Sequence, residues 1–249
     1  MNKYKLQSAQ YKLPYHYLPQ IEAGGNFFRH QSLRWGFAYL CYLHHIAATI
    51  VREKPGELFD AGCGDGRLIS LLSQQSECNF TGQDCDSRAI DMARALNPRH
   101  RFLCGDIADV EETFSLVSCI EVLEHIPDDC IEQFISDLVS RIRPGGKLII
   151  GVPTTNKPMS AKHFRHYEQK TLLAQLAPEA RGLQVNSSEF IFNGSDPLYR
   201  LYTRLTENRF WFLSIRLFEN LMWKRAWTKL RHADPHTGHH LLLCLSKTV

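Results

Sequence analysis

Residues Glu57-Leu58-Phe59-Asp60-Ala61 form a short apolar run that ends on an acid, and Gly62-Cys63-Gly64-Asp65-Gly66 follows with glycine at every second position. A run of this length bounded by glycines reads as a buried strand, and the turn passes into a helix predicted over 66–75. Glycines at these places allow φ > 0 and let a ligand approach the main chain, while the helix start aims free N–H groups at the turn. The spacing is G-x-G-x-G and differs from the G-x-G-x-x-G that cradles a dinucleotide pyrophosphate. Taken alone, the turn fits either a nucleoside site or a tight strand-to-helix connection.

The rest of the chain repeats the pattern. Strands are predicted at 57–61, 79–84, 101–104, 115–120 and 146–152, with helices at 87–96, 129–142 and 168–177, the alternation of a parallel sheet covered on both faces. Pro144-Gly145-Gly146 reads as a sharp stop between a helix and its strand. Ahead of the first strand, Leu33, Phe37, Leu40, Leu43, Ile46 and Ile50 recur at helical spacing from Gln31 to Val51. Residues 1–30, with Pro14, Pro19 and Gly24-Gly25, read as an arm or lid before a domain spanning 31–249. A sixth strand is expected at 184–192 and a last one at 240–246, separated by an insertion over 193–238.

The chain of 249 residues has a net charge of +3, too balanced for a nucleic-acid surface to follow from bulk charge. Its eight cysteines include no C-x-x-C pair, which is reduced-compartment usage. The N-terminus carries no apolar leader, and no run is long enough to span a bilayer. The expectation is a cytoplasmic protein, bound at most to a membrane surface.

Ligands of an open parallel sheet sit beyond the carboxyl ends of its strands. Those ends carry Asp60, Gly82-Gln83-Asp84, Gly105-Asp106-Ile107 and Cys119-Ile120-Glu121. Asp84, about twenty residues past the glycine turn, is placed to accept hydrogen bonds from a ribose diol. Asp106 could accept from an exocyclic amine such as adenine N6, with Cys85 and Ile107 as apolar walls.

These motifs resemble the class I S-adenosylmethionine-dependent methyltransferases over roughly residues 29–177. The likeness rests on Leu58 to Gly66, Thr81-Gly82-Gln83-Asp84, Phe102 to Ile107, Cys119 to Asp128 and Arg143 to Leu148. Within that family the chain looks most like the ubiquinone-pathway O-methyltransferases, which carry a similar E-x-x-E-H-x-P-D run. The resemblance implies a Rossmann-like, doubly wound α/β fold of seven mostly parallel strands, the last antiparallel and supplied by 240–246. It implies S-adenosylmethionine as cofactor and S-adenosylhomocysteine as product, held by Asp60, Cys63, Gly64, Gly66, Asp84, Cys85, Asp106, Ile107 and Glu121. Arg34 would pair with the methionine carboxylate, Gly62 would line the methionine moiety, and Ile120 would contact the cofactor through its backbone.

Methyl transfer to a hydroxyl needs alignment, exclusion of water and removal of a proton. The candidate bases are His125, His163 and His166, each of which also has a structural reading. Glu121, Glu124 and His125 stand at i, i+3 and i+4, and with His163 or His166 resemble the metal set of small-RNA 2′-O-methyltransferases. E-x-x-E-H also occurs in relatives without metal, so the expectation is a metal-free site.

The insertion is aromatic and basic. Read as one helix, 209–231 places Arg209, Arg216, Asn220, Lys224 and Arg231 opposite Phe210, Trp211, Ile215, Leu217, Phe218, Leu221 and Met222. Its apolar side could pack on the sheet or a second copy, or lie on an anionic membrane, and its basic side could meet RNA. The expectation is O-methylation of a small-molecule, sugar or lipid-linked acceptor, with nucleic acid set aside. The alternatives are a metal-dependent RNA 2′-O-methyltransferase and a non-catalytic cofactor-binding relative.

Overall fold

A computed structural model describes residues 3–8, 19–21, 27–29, 36–208, 210–211 and 213–248. Its elements begin with α1 (Lys3–Ser8), the antiparallel pair β1 (Pro19–Ile21) and β2 (Phe27–Arg29), and the long helix α2 (Gly36–Glu53). The alternating part runs β3 (Glu57–Ala61), α3 (Arg67–Leu72), β4 (Asn79–Asp84), α4 (Ser87–Leu96), β5 (Arg101–Cys104), β6 (Phe114–Ile120), α5 (Ile131–Ser140) and β7 (Ile142–Pro153). It closes with α6 (Gln169–Leu176), β8 (Leu183–Asn193), α7 (Pro197–Thr206), α8 (Arg216–Arg225), β9 (His232–Ala233) and β10 (Gly238–Lys247).

The main sheet has the order β5-β4-β3-β6-β7-β10-β8-β9. The first five strands in that order are parallel, and β10 inserts antiparallel between β7 and β8. Neighbouring residues point to opposite faces, so the apolar pairs Leu58/Phe59, Leu116/Val117, Ile149/Ile150 and Leu242/Leu243 each feed two cores. On one face Tyr42, Ile46 and Ile50 of α2 pack with Ile69 and Leu72 of α3 and Ile90 of α4. On the other, Ile135 and Leu138 of α5 and Leu172 and Leu176 of α6 cover the sheet. This double burial is why the central strands read as nearly continuous apolar runs.

Three expectations need correction. The main sheet has eight strands where seven were expected, because the chain returning from the insertion lays His232–Ala233 along β8, pairing Ile191 with His232 and Phe190 with Ala233. Pro144-Gly145-Gly146 is a bulge inside β7, where the register with β6 jumps from Phe114↔Ile142 to Leu116↔Lys147; Gly145 takes φ 72° there. Residues 209–231 are not one helix. Asp196 caps α7 by accepting from Tyr199 N–H, and Asn208 Oδ1 accepts from Phe210 and Trp211 N–H, turning the chain before α8 begins at Arg216. Arg34 and the Tyr15-His16-Tyr17 arm lie outside the described residues.

Tyr42 fixes α2 to the sheet where the strands end. It is buried and stacks on His240 at 4.0 Å between ring centres, and a Cβ added at Gly151 would lie 2.0 Å from its hydroxyl. Gly151→Ala is therefore expected to lower stability by about 1–3 kcal/mol, measured by urea unfolding; an unchanged midpoint would contradict this contact.

Candidate active site

The carboxyl ends of the parallel strands gather the glycine turn and the acids. Gly62 and Cys63 N–H both donate to Gln83 O at 2.8 Å, and Gly64 N–H donates to Asp84 Oδ2 at 3.0 Å. Gly62, Gly64 and Gly66 have φ of 74°, 53° and 72°, and a Cβ on Gly62 would come 2.4 Å from Val122. Asp84 Oδ1 also receives Asp86 N–H at 2.9 Å, so the carboxylate is anchored by two backbone donors. Asp60 is buried and accepts from Ser118 Oγ at 2.7 Å. Burial pushes its pKa up to about 7, aided by the charge of Asp84 and opposed by the Ser118 hydrogen bond.

Asp106 caps the turn Ile107–Asp109 by accepting from Ala108 N–H at 3.0 Å. Ile107 is buried among the residues under α5, whereas Cys85 is exposed at the end of β4. Ile120 ends β6 with its side chain beside Gly151.

A second cluster follows β6. Glu121 adopts φ 57° and its carboxylate meets His240 Nδ1 at 3.0 Å and Lys157 Nζ at 3.8 Å. Burial acts to raise its pKa, but His240 and Lys157 outweigh burial and hold it below the ordinary range. Leu123–His125 is a single 3-10 turn, so Glu121 and Glu124 do not share a helical face as the sequence spacing implied. Glu124 instead faces His125 and His163. It is fully buried, neither carboxylate oxygen has a hydrogen-bond partner among the described residues, and burial with the Glu121 charge drives its pKa well up.

The three histidines converge. His125 and His163 meet edge to face at 4.7 Å, His163 Nδ1 lies 2.8 Å from His166 Nε2, and His166 Nδ1 lies 3.0 Å from Lys157 O. Burial lowers the pKa of His125 to about 4 and, with the neighbouring His125, that of His163 to about 3. Lys3 of α1 donates to the carbonyl of His163 and lies over the Phe164 ring, bringing the N-terminal segment onto this loop.

A methyltransferase-domain family model matches residues 32–230. The chain belongs to that family. Among curated relatives, the methyltransferase is 33% identical over 107 residues to the ubiquinone biosynthesis O-methyltransferase of Rickettsia bellii, covering 41% of this chain and 43% of that protein. It is 29% identical over 154 residues to the enzyme of that name from Rhizobium leguminosarum bv. trifolii, covering 53% and 59%. The chain thus spans about half the length of the curated relatives it matches. Its fold is shared with magnesium protoporphyrin IX methyltransferase from Synechocystis PCC 6803 with bound SAH, at TM-score 0.58, 14% identity and 88% and 89% coverage. It is shared too with the methyltransferase domain of bacterial-CtHen1-C, at TM-score 0.58, 14% identity and 85% and 100% coverage. Family and fold together make the chain a class I S-adenosylmethionine-dependent methyltransferase.

Sequence reasoning missed Tyr42, Lys157 and His240, the partners that surround Glu121. His240 could have been found from topology. An antiparallel strand starts at the edge where the parallel strands end, and the register His240↔Pro153 puts it there. Ser118→Ala removes the one contact that favours ionised Asp60 and should raise the Asp60 pKa above about 7, followed by carbon-detected NMR; an unchanged or lower value would contradict this geometry.

Proposed function

We propose that this methyltransferase transfers the methyl group of S-adenosylmethionine to an oxygen of a small-molecule, sugar or lipid-linked acceptor. The observation that carries the reading is the placement of the anchored Asp84 carboxylate with its glycine turn and the three imidazoles at one edge of the sheet. The names of the curated relatives support oxygen as the receiving atom.

The residues fit the donor. Gly62 and Gly66 have no room for a side chain, since a Cβ would strike Val122 at 2.4 Å and Asn97 at 2.8 Å, and the turn keeps the bare main chain that a methionine moiety can approach. Asp84, held by Gly64 and Asp86 N–H, keeps oxygen lone pairs for a ribose diol, and Asp106 stands nearby for the base. Bound donor supplies an electrophilic sulfonium methyl. The chain must then align the acceptor oxygen with it, exclude water and take the hydroxyl proton. In this reading His125 takes the proton and His163 and His166 position it. Their depressed pKa values keep the imidazoles neutral, and so able to accept a proton, at pH 7.

A second reading has its own observation. The orphaned carboxylate of Glu124, with His125 and His163, offers ligand atoms all within 4.8 Å of one another. A divalent cation there would satisfy the carboxylate and acidify an acceptor hydroxyl, with a terminal RNA ribose as the matching substrate. Complete metal stripping distinguishes the two. Activity kept after stripping removes the cation reading, and activity restored by manganese or magnesium establishes it.

Calorimetric titration should show S-adenosylhomocysteine binding. Asp84→Ala is expected to weaken it by about 1–3 kcal/mol through lost diol contacts, and equal affinity would remove Asp84 from the site. The base must be neutral, so kcat/KM should stay flat from pH 8 downward and fall only as pH approaches the His125 value of about 4. An acid limb centred on the ordinary histidine value would contradict His125 as base.

A further inference from the structure

Ten of the thirteen exposed large apolar residues among those described fall between Leu198 and Leu221. On α7, Leu198, Leu201 and Leu205 recur at i, i+3 and i+7 and are each at least half exposed, while Tyr199 and Tyr202 turn inward. On α8, Leu217, Phe218 and Leu221 are exposed, whereas Met222 and the following Ala226 and Leu230 pack on α2. Phe210, Trp211, Leu213 and Ile215 continue the exposed set between the helices. The expected broad apolar side therefore exists but points outward.

The two helices are locked together. Arg225 makes a two-point contact with Asp196, Nη2 to Oδ2 at 2.6 Å and Nε to Oδ1 at 3.1 Å, tying the end of α8 to the cap of α7. Phe37 of α2 meets Tyr202 edge to face at 5.8 Å, and His44 meets Trp223 at 5.9 Å. Beside them lies a cavity of about 170 Å³ lined by Phe37, Leu40, Tyr202, Leu213 and Trp223.

Charge indicates what covers the face. Residues 196–231 hold eight basic and three acidic side chains, and Arg200, Arg204, Arg216, Lys224 and Lys229 are exposed. A second copy seated by two-fold symmetry would press these cations against themselves. An anionic bilayer takes both the apolar residues and the cations. RNA would use mainly stacking aromatics, yet seven of the ten apolar residues are leucine or isoleucine.

Topology places this face at the active-site edge. Because β10 is antiparallel to both β7 and β8, β8 runs in the direction of β7 and ends at Asn193 on the same edge of the sheet as the glycine turn, with β6, β7 and β10 between them. We propose that the α7–α8 face docks on an anionic bilayer and seats the acceptor side of the enzyme against the lipid. The docking does not depend on which acceptor is methylated.

Vesicle flotation of the full chain tests this, using phosphatidylcholine alone and phosphatidylcholine with about one third phosphatidylglycerol. The expected result is flotation with the anionic vesicles, at least about tenfold weaker with the zwitterionic ones or at salt above about 0.5 M. The double variant Phe218→Glu, Leu221→Glu should lose flotation while keeping the wild-type thermal midpoint. Absence of flotation with anionic vesicles, or flotation that the folded double variant retains, overturns the proposal. So does a wild-type dimer that the variant converts to monomer, or RNA binding that the variant abolishes.

Discussion

The junction between the glycine turn and the end of β4 governs the site. Gln83 O takes two N–H groups of the turn and Asp84 takes a third, so the turn is held against a neighbouring strand by main-chain geometry. Left-handed backbone at three glycines makes these bonds reachable, and side chains there would strike Val122 and Asn97. A carboxylate fixed in this way needs no reorganisation to meet a ligand.

The same edge explains a concentration of buried ionisable groups that a fold alone does not require. Asp60 with its pKa raised to about 7, Glu121 held below the ordinary carboxylate range and Glu124 driven well above it lie within one region, each set by a different balance of burial and partners. The positive φ at Glu121 sends one carboxylate to His240 and Lys157 and leaves the other with His125 and His163.

Much of this was legible in the residue order. The bounds of β3, β4 and β5 match the strands predicted from the alternating pattern, and Asp84 follows from its distance past the turn. Helical spacing also located α2 and α4. What could not be read depends on register and local side-chain bonds. His240 joins Glu121 only because β10 inserts antiparallel beside β7, and the helix expected from 209 starts only at Arg216, after the turn that the Asn208 side chain makes. The outward direction of the apolar residues of α8 was equally hidden, since amphipathic spacing reports that two faces differ and is silent on which faces the core.

Family membership accounts for the fold that carries the glycine turn. The histidine cluster and Lys3 against its loop follow β6 and β7 in the chain. The central claim is that donor and acceptor groups meet at one sheet edge, and a crystal structure of the chain with S-adenosylhomocysteine tests it most directly. The account places the ribose diol on Asp84 and the sulfur facing His125 and His163; a ligand bound away from the glycine turn, or with its sulfur turned from the histidines, would contradict it.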